Sequence, residues 1–384
     1  MQNNIFYLLP HSKLPLLISI LGTEKFEIIG PQSIDGSIVY EKIENVDQLP
    51  WGILDYQWPG IYRLENTDIN KAFIFTNGPQ ALKPYLFRAQ ELLFEVEKKE
   101  NKNNKKKLNF IPAKEEAPKL AFIGARACDL AAMAIQDKIF LADTHLDIYY
   151  RSRRENLFII AVNCIRSSAN CFCASTGDGP KVTKLYDILM TEIEENFVVQ
   201  VGTDNGKRII DQLELSHALP EHIKEADEYV EQAGLQQTKK LPDTNLRNLL
   251  FSNLNHPRWN DVAKRCLSCT NCTQVCPTCF CHSSLEQAIL DGTKSGHYRV
   301  WDSCFTCGHS YIHGRVIRDD TRKRYRQWLT HKLGSWYDQF GTSGCVGCGR
   351  CITWCPVGID ITEETYAIYD NQNNDKEIIK EIIK

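Results

Sequence analysis

Two apolar runs in the first half of the chain, Leu120-Ala-Phe-Ile-Gly and Leu157-Phe-Ile-Ile-Ala-Val-Asn-Cys164, contain no charge, the pattern of strands buried on both faces. Between them Ala125-Arg-Ala-Cys128-Asp129-Leu130 leads into Ala131, Ala132, Ala134 and Ile135 at helical spacing. Strand, helix, strand predicts a βαβ unit with a parallel sheet. Lys71-Ala-Phe-Ile-Phe-Thr and Phe197-Val-Val-Gln-Val201 read as further strands. Pro84 to Glu97, carrying Leu86, Leu92, Leu93 and Val96, reads as a helix, as do segments around Leu213 to Leu250 and from Asp319 to Tyr337. Asp35-Gly36 and Pro59-Gly60 mark turns. The Lys/Glu/Asn-rich stretch 97–118 interleaves both signs of charge and predicts a solvated loop; the polar tail after Asn371 predicts a short terminal helix or a frayed end.

The pattern predicts an α+β chain, with an N-terminal α/β domain over 1–255 and a second domain over 256–384, where the composition shifts at His256-Pro257. A content of 43% hydrophobic and 24% charged residues is that of a soluble globular protein, and a net charge of -3 points to neither nucleic acid nor a membrane surface. The longest apolar run near the N-terminus, Leu14 to Leu21, falls short of a membrane span, so direct membrane insertion is not expected. Gly30 to Gly36 and Gly177-Asp-Gly179 form no nucleotide-binding fingerprint.

Sixteen cysteines change the picture. Their clustering at short spacings favours metal ligation in a reducing cytoplasm over a secreted disulfide framework. Cys266-Leu-Ser-Cys269-Thr-Asn-Cys272-Thr-Gln-Val-Cys276-Pro277 and Cys345-Val-Gly-Cys348-Gly-Arg-Cys351-Ile-Thr-Trp-Cys355-Pro356 both read C-x2-C-x2-C-x3-C-P. In two-cluster ferredoxins, three cysteines of such a loop bind one [4Fe-4S] cluster and the fourth binds the other. That rule assigns Cys266, Cys269, Cys272 and Cys355 to cluster one, and Cys345, Cys348, Cys351 and Cys276 to cluster two. The second domain is thus expected to be a two-cluster ferredoxin-like unit with a large insertion, 277–344, between its loops. The alternative is a zinc-stapled interaction protein built on C-x2-C pairs, which leaves the third cysteine and the Cys-Pro ending of each loop unexplained.

Cys128, Cys164, Cys171 and Cys173 are expected near one edge of the parallel sheet, where open α/β sheets place functional groups, and are candidates for a further iron-sulfur centre. Asp129 reads as a helix N-cap. Cys279, Cys281, Cys304 and Cys307, in the insertion, read equally as ligands of another centre or as buried thiols. Arg350, inside the second loop, is a candidate for electrostatic tuning of a cluster; Arg126, Arg151, Arg153 and Arg154 read as surface residues.

The run 266–281, Trp301-Asp-Ser-Cys304, His331-Lys332-Leu333, the block 344–351, Gly124-Ala-Arg-Ala-Cys128-Asp129 and Gly78-Pro-Gln-Ala-Leu-Lys83-Pro84 together resemble the iron-sulfur β subunit of cytosolic NAD(P)-linked [NiFe] hydrogenases, or sulfhydrogenases. They are similar too to the iron-sulfur, electron-delivering component of anaerobic sulfite reductase. The resemblance implies a cytoplasmic electron-transfer subunit of a hetero-oligomer, between a catalytic subunit pair and a flavin- and NAD(P)H-binding subunit. The catalytic module is [NiFe] in the hydrogenase and a sirohaem subunit in the reductase. By itself such a chain catalyses nothing.

Overall fold

A computed structural model describes residues 5–100, 106–114 and 117–370. The strands in chain order are β1 (Phe6–Pro10), β2 (Glu27–Ile34), β3 (Ser37–Lys42), β4 (Ile53–Trp58), β5 (Ile61–Asn66), β6 (Gln90–Glu100), β7 (Lys106–Pro112), β8 (Leu120–Ala125), β9 (Leu157–Val162), β10 (Ile188–Glu192), β11 (Asn196–Val201), β12 (Ser216–His217), β13 (His282–Ala288), β14 (Lys294–Trp301), β15 (Tyr311–Ile312) and β16 (Arg315–Val316). An eight-stranded sheet runs β12-β1-β11-β10-β9-β8-β2-β3. Its centre, β10-β9-β8-β2, is parallel, and antiparallel strands extend it on both sides. Every residue of β8 is buried because the sheet is covered twice. Leu14, Leu17 and Leu21 of the helix Leu14–Thr23 pack on one face, and Leu130, Met133 and Phe140 of the helix Ala127–Phe140 on the other. The βαβ unit is as expected.

Three expectations are corrected. Lys71–Thr76 is largely buried, at Ala72, Phe73, Phe75 and Thr76, but forms no strand. Charged side chains satisfy its backbone: Ala72 and Phe73 N–H donate to the Glu192 carboxylate at 2.7 and 2.8 Å, Thr76 N–H donates to Asp55 at 2.6 Å, and the Arg126 guanidinium donates to Phe73 O and Phe75 O at 2.8 and 3.0 Å. Pro84 to Glu97 is helical only over Lys83–Leu86 and then becomes β6. The expected loop 97–118 contains β7, while 101–105 and 115–116 lie outside the described residues, as does the tail after 370.

Strand β6 forms because it has two partners, β7 beside it in sequence and β14 about two hundred residues away. The resulting sheet, β13-β14-β6-β7, joins the insertion hairpin to the N-terminal half. The C-terminal region is helical, with a core of Trp259, Val262, Leu329, Leu333, Ile352 and Ile361 to which Phe172 is added from the N-terminal half. No helix among the described residues is long and apolar enough to cross a membrane.

Candidate metal centre

The first cysteine loop leaves the helix Arg258–Arg265 at Cys266, whose N–H still bonds Val262 O at 2.9 Å. Ser268 and Thr270 then adopt left-handed backbone, with φ of 52° and 71°, and wrap the loop into the short helix Asn271–Gln274. This brings Cys266, Cys269 and Cys272 to a pocket also lined by Cys355, Cys351 and Tyr325. Backbone N–H groups aim at two of its sulfurs: Ser268 N–H lies 3.4 Å from Cys266 Sγ, and Ile359 N–H 3.3 Å from Cys355 Sγ. Such donors favour a thiolate and tune a bound cluster.

The second loop repeats the conformation with glycine. Gly347 and Gly349, at the positions of Ser268 and Thr270, have φ of 63° and 75°. Here the neighbour forbids a side chain: a Cβ on Gly347 would lie 2.5 Å from Cys173 N, and one on Gly349 2.4 Å from Asn170 O. Phe172 N–H donates to Gly347 O at 2.8 Å. On the other side Gly60 N–H donates to Ile352 O at 3.1 Å and Tyr62 stacks on Trp354. The N-terminal half therefore holds the second loop from two sides. Cys345 and Cys351 are buried, and Cys345 lies within electrostatic reach of Cys348 and Cys276.

Lys332 completes this surrounding. It stands on a π-helical turn, His331–Ser335, of the kind that often re-aims a functional side chain. Its Nζ donates to Cys276 Sγ at 3.1 Å, Thr278 Oγ1 at 3.2 Å and Gly344 O at 3.0 Å. Burial raises the Cys276 thiol, but the Lys332 ammonium and hydrogen bonds from Thr278 and Lys332 outweigh it and hold the thiol below its ordinary value. Burial instead pushes Cys345 up to about 11, and Cys272 and Cys351 rise through burial and the thiols beside them. Thiols gathered in this way are tenable as thiolates around a cationic core. The motif spacing gives no chemical role to Lys332, although a signal exists. With Tyr325, Trp328, Leu329 and Trp336 it falls on the apolar face of the helical run, where a lysine has no ordinary reason to be.

Arg350 is fully buried. It donates to Asp129 Oδ1 at 2.7 Å and to Gly78 O at 3.1 Å, so the second loop and the N-terminus of the helix Ala127–Phe140 share an ion pair. Asp129 is not the N-cap as expected: Arg126 holds that position, and Asp129, three residues in, accepts from Arg126 N–H at 3.1 Å as the returning half of a capping box, which accounts for a carboxylate beside Cys128. Arg126 and Arg153 are buried, contrary to the surface reading; Arg153 pairs with Glu91, while Arg151 stays exposed and Arg154 reaches Asp137.

Cys128, Cys164, Cys171 and Cys173 do gather beyond the sheet edge, with Cys173 within electrostatic reach of Cys171, Cys164 and Cys348. Separate polar groups already occupy them: Asn77 stands 3.6 Å from Cys128, Arg126 against Cys164, Ser168 3.2 Å from Cys171 and Gln237 3.2 Å from Cys173.

A family model described as a 4Fe-4S dicluster domain matches residues 265–359, the two loops and the segment between them. The sulfhydrogenase 2 subunit beta of Pyrococcus furiosus is 26% identical over 339 residues, covering 87% of this chain and 89% of that protein. The chain is a homologue of that hydrogenase β subunit. No solved structure matches it. The likeness extends well beyond the dicluster match, so the N-terminal half that grips the second loop belongs to the shared protein and not to an unrelated attachment.

Proposed function

We propose that this chain is the iron-sulfur electron-transfer subunit of a cytosolic sulfhydrogenase, passing electrons between a [NiFe] catalytic pair and a flavin- and NAD(P)H-binding subunit. The carrying observation is the cavity that brings Cys355 of the second loop to Cys266, Cys269 and Cys272 of the first. In this reading those four thiolates hold one [4Fe-4S] cluster, and Cys345, Cys348, Cys351 and Cys276 hold another. Each core supplies a one-electron carrier of low potential. The chain's own residues orient the thiolates, donate N–H groups to their sulfurs, and place Lys332 and Arg350 as buried positive charge beside the second set. The fit favours a cluster over a single ion, because zinc needs four ligands about 2.0–2.3 Å from one point. Among the described residues no three Cys, His, Asp or Glu side chains converge in that way.

The two-domain division at 255/256 belongs to the same reading. So does the N-terminal set Cys128, Cys164, Cys171 and Cys173 as a candidate iron site: a Cys128→Ser chain that retains all its iron removes it. The test of the whole is anaerobic affinity purification of the tagged chain from its native cells. Copurification of a [NiFe] pair and a flavoprotein is expected; a sirohaem partner would make it a sulfite reductase component, and zinc without acid-labile sulfide would make it a zinc-stapled protein.

A further inference from the structure

The insertion between the loops carries four more thiols, and the fold directs three of them to one place. Cys279 and Cys281 follow directly from the first loop, with Cys279 N–H bonded to Cys276 O at 3.3 Å. Asp302 N–H donates to Cys281 O at 2.9 Å, which ties this run to Cys304 two residues further on. The Cys279 thiol adjoins Cys281, and Cys281 adjoins Cys304. All three line one pocket, together with His331 and, on the side of the second loop, Cys276 and Lys332. Cys307 is exposed and lies outside it.

Lys83 is an independent pointer. Its side chain comes from the N-terminal half, is only 7% exposed, and places Nζ 3.8 Å over the Trp301 ring and 3.3 Å from Cys276 O. Among the described residues it pairs with no carboxylate. A buried ammonium without a counter-charge carries a desolvation penalty of several kcal/mol. The groups near it that can become anionic are Cys279, Cys276 and Cys281. Two buried lysines, Lys83 and Lys332, thus flank a group of thiols with no acid to neutralise them.

We propose that Cys279, Cys281 and Cys304, with His331 in the fourth position, hold a third iron-sulfur centre beside the second cluster. Imidazole replaces thiolate on iron in known iron-sulfur chemistry. A cluster spreads its ligands over several irons and so does not need them to meet at one point. The proposal adds to the two-cluster reading and fails separately from it.

Iron and acid-labile sulfide are counted in the full chain after anaerobic reconstitution with iron and sulfide. Three cubane centres give about 12 iron atoms per chain, against about 8 for two. Cys281→Ser and Cys304→Ser are expected each to lose about a third of the iron while the EPR signals of the two ferredoxin loops persist. Cys307→Ser is expected to keep the full content. A wild-type content of about 8, iron unchanged by both substitutions, or stoichiometric zinc lost with them overturns the proposal. Because a centre at the N-terminal set would also add about four iron atoms, a wild-type content above about 8 supports the insertion centre only where the Cys128→Ser chain keeps it, and a content of about 8 overturns the proposal even if a variant fails to fold.

Discussion

The two cysteine loops have the same spacing and the same backbone, yet one faces outward and the other is clamped. Ser268 and Thr270 hold left-handed φ in the first loop where Gly347 and Gly349 hold it in the second. Left-handed backbone therefore does not by itself explain the glycines, since a β-branched threonine adopts it in the matching place at a cost of about 1–2 kcal/mol. The second loop needs glycine because Asn170, Phe172 and Cys173 press against it. Cys269 of the first loop is exposed and Leu267 is 64% exposed, whereas Cys345, Cys351 and Arg350 of the second are buried. One loop opens to the surface, and the other is enclosed by the N-terminal half of the chain.

That contrast can be broken most severely at the glycines. Gly349→Ala puts a methyl 2.4 Å from a carbonyl oxygen that cannot rotate away, and Gly347→Ala does the same against Cys173. Each is expected to destabilise the folded chain by roughly 3 kcal/mol, from overpacking and left-handed strain together; thermal unfolding reads it. Next in size is Lys332→Met, which removes three hydrogen bonds and a buried charge beside Cys276. The potential of the second cluster is expected to fall by the equivalent of roughly 1–3 kcal/mol, with the first almost unchanged; a redox titration followed by EPR measures both. Mild oxidation should bleach the cluster of the exposed loop severalfold faster than that of the buried one, as low-temperature EPR amplitudes would record. The smallest effect is expected of Thr270→Gly. Relief of strain and added freedom of the unfolded chain oppose each other, leaving stability within about 1 kcal/mol of the parent.

Local chemistry is legible in the sequence, and long-range pairing is not. The ligand loops follow from spacing, and the parallel strands β8 and β9 follow from uninterrupted apolar runs. Residues 90–97 read as a helix because nothing near them reveals that β14 will pair with them. Lys71–Thr76 reads as a strand because its apolar content is that of one, but its partners are the side chains of Glu192, Asp55 and Arg126. The repeated Cys-Phe-Cys at 171–173 and 279–281, which spacing alone leaves unexplained, has a physical setting in the fold. Phe172 bonds the second loop through its backbone, and Phe280 packs on Trp336 behind Lys332, so the two copies approach the same loop from opposite halves.

The crossed assignment of Cys276 and Cys355 is the centre of the account. Low-temperature EPR of the reduced chain tests it, with Cys269→Ala and Cys348→Ala identifying the signals of the first and second loops. The Cys355→Ser spectrum is predicted to match the loss seen in Cys269→Ala, and Cys276→Ser that seen in Cys348→Ala; the opposite pairing would contradict the account.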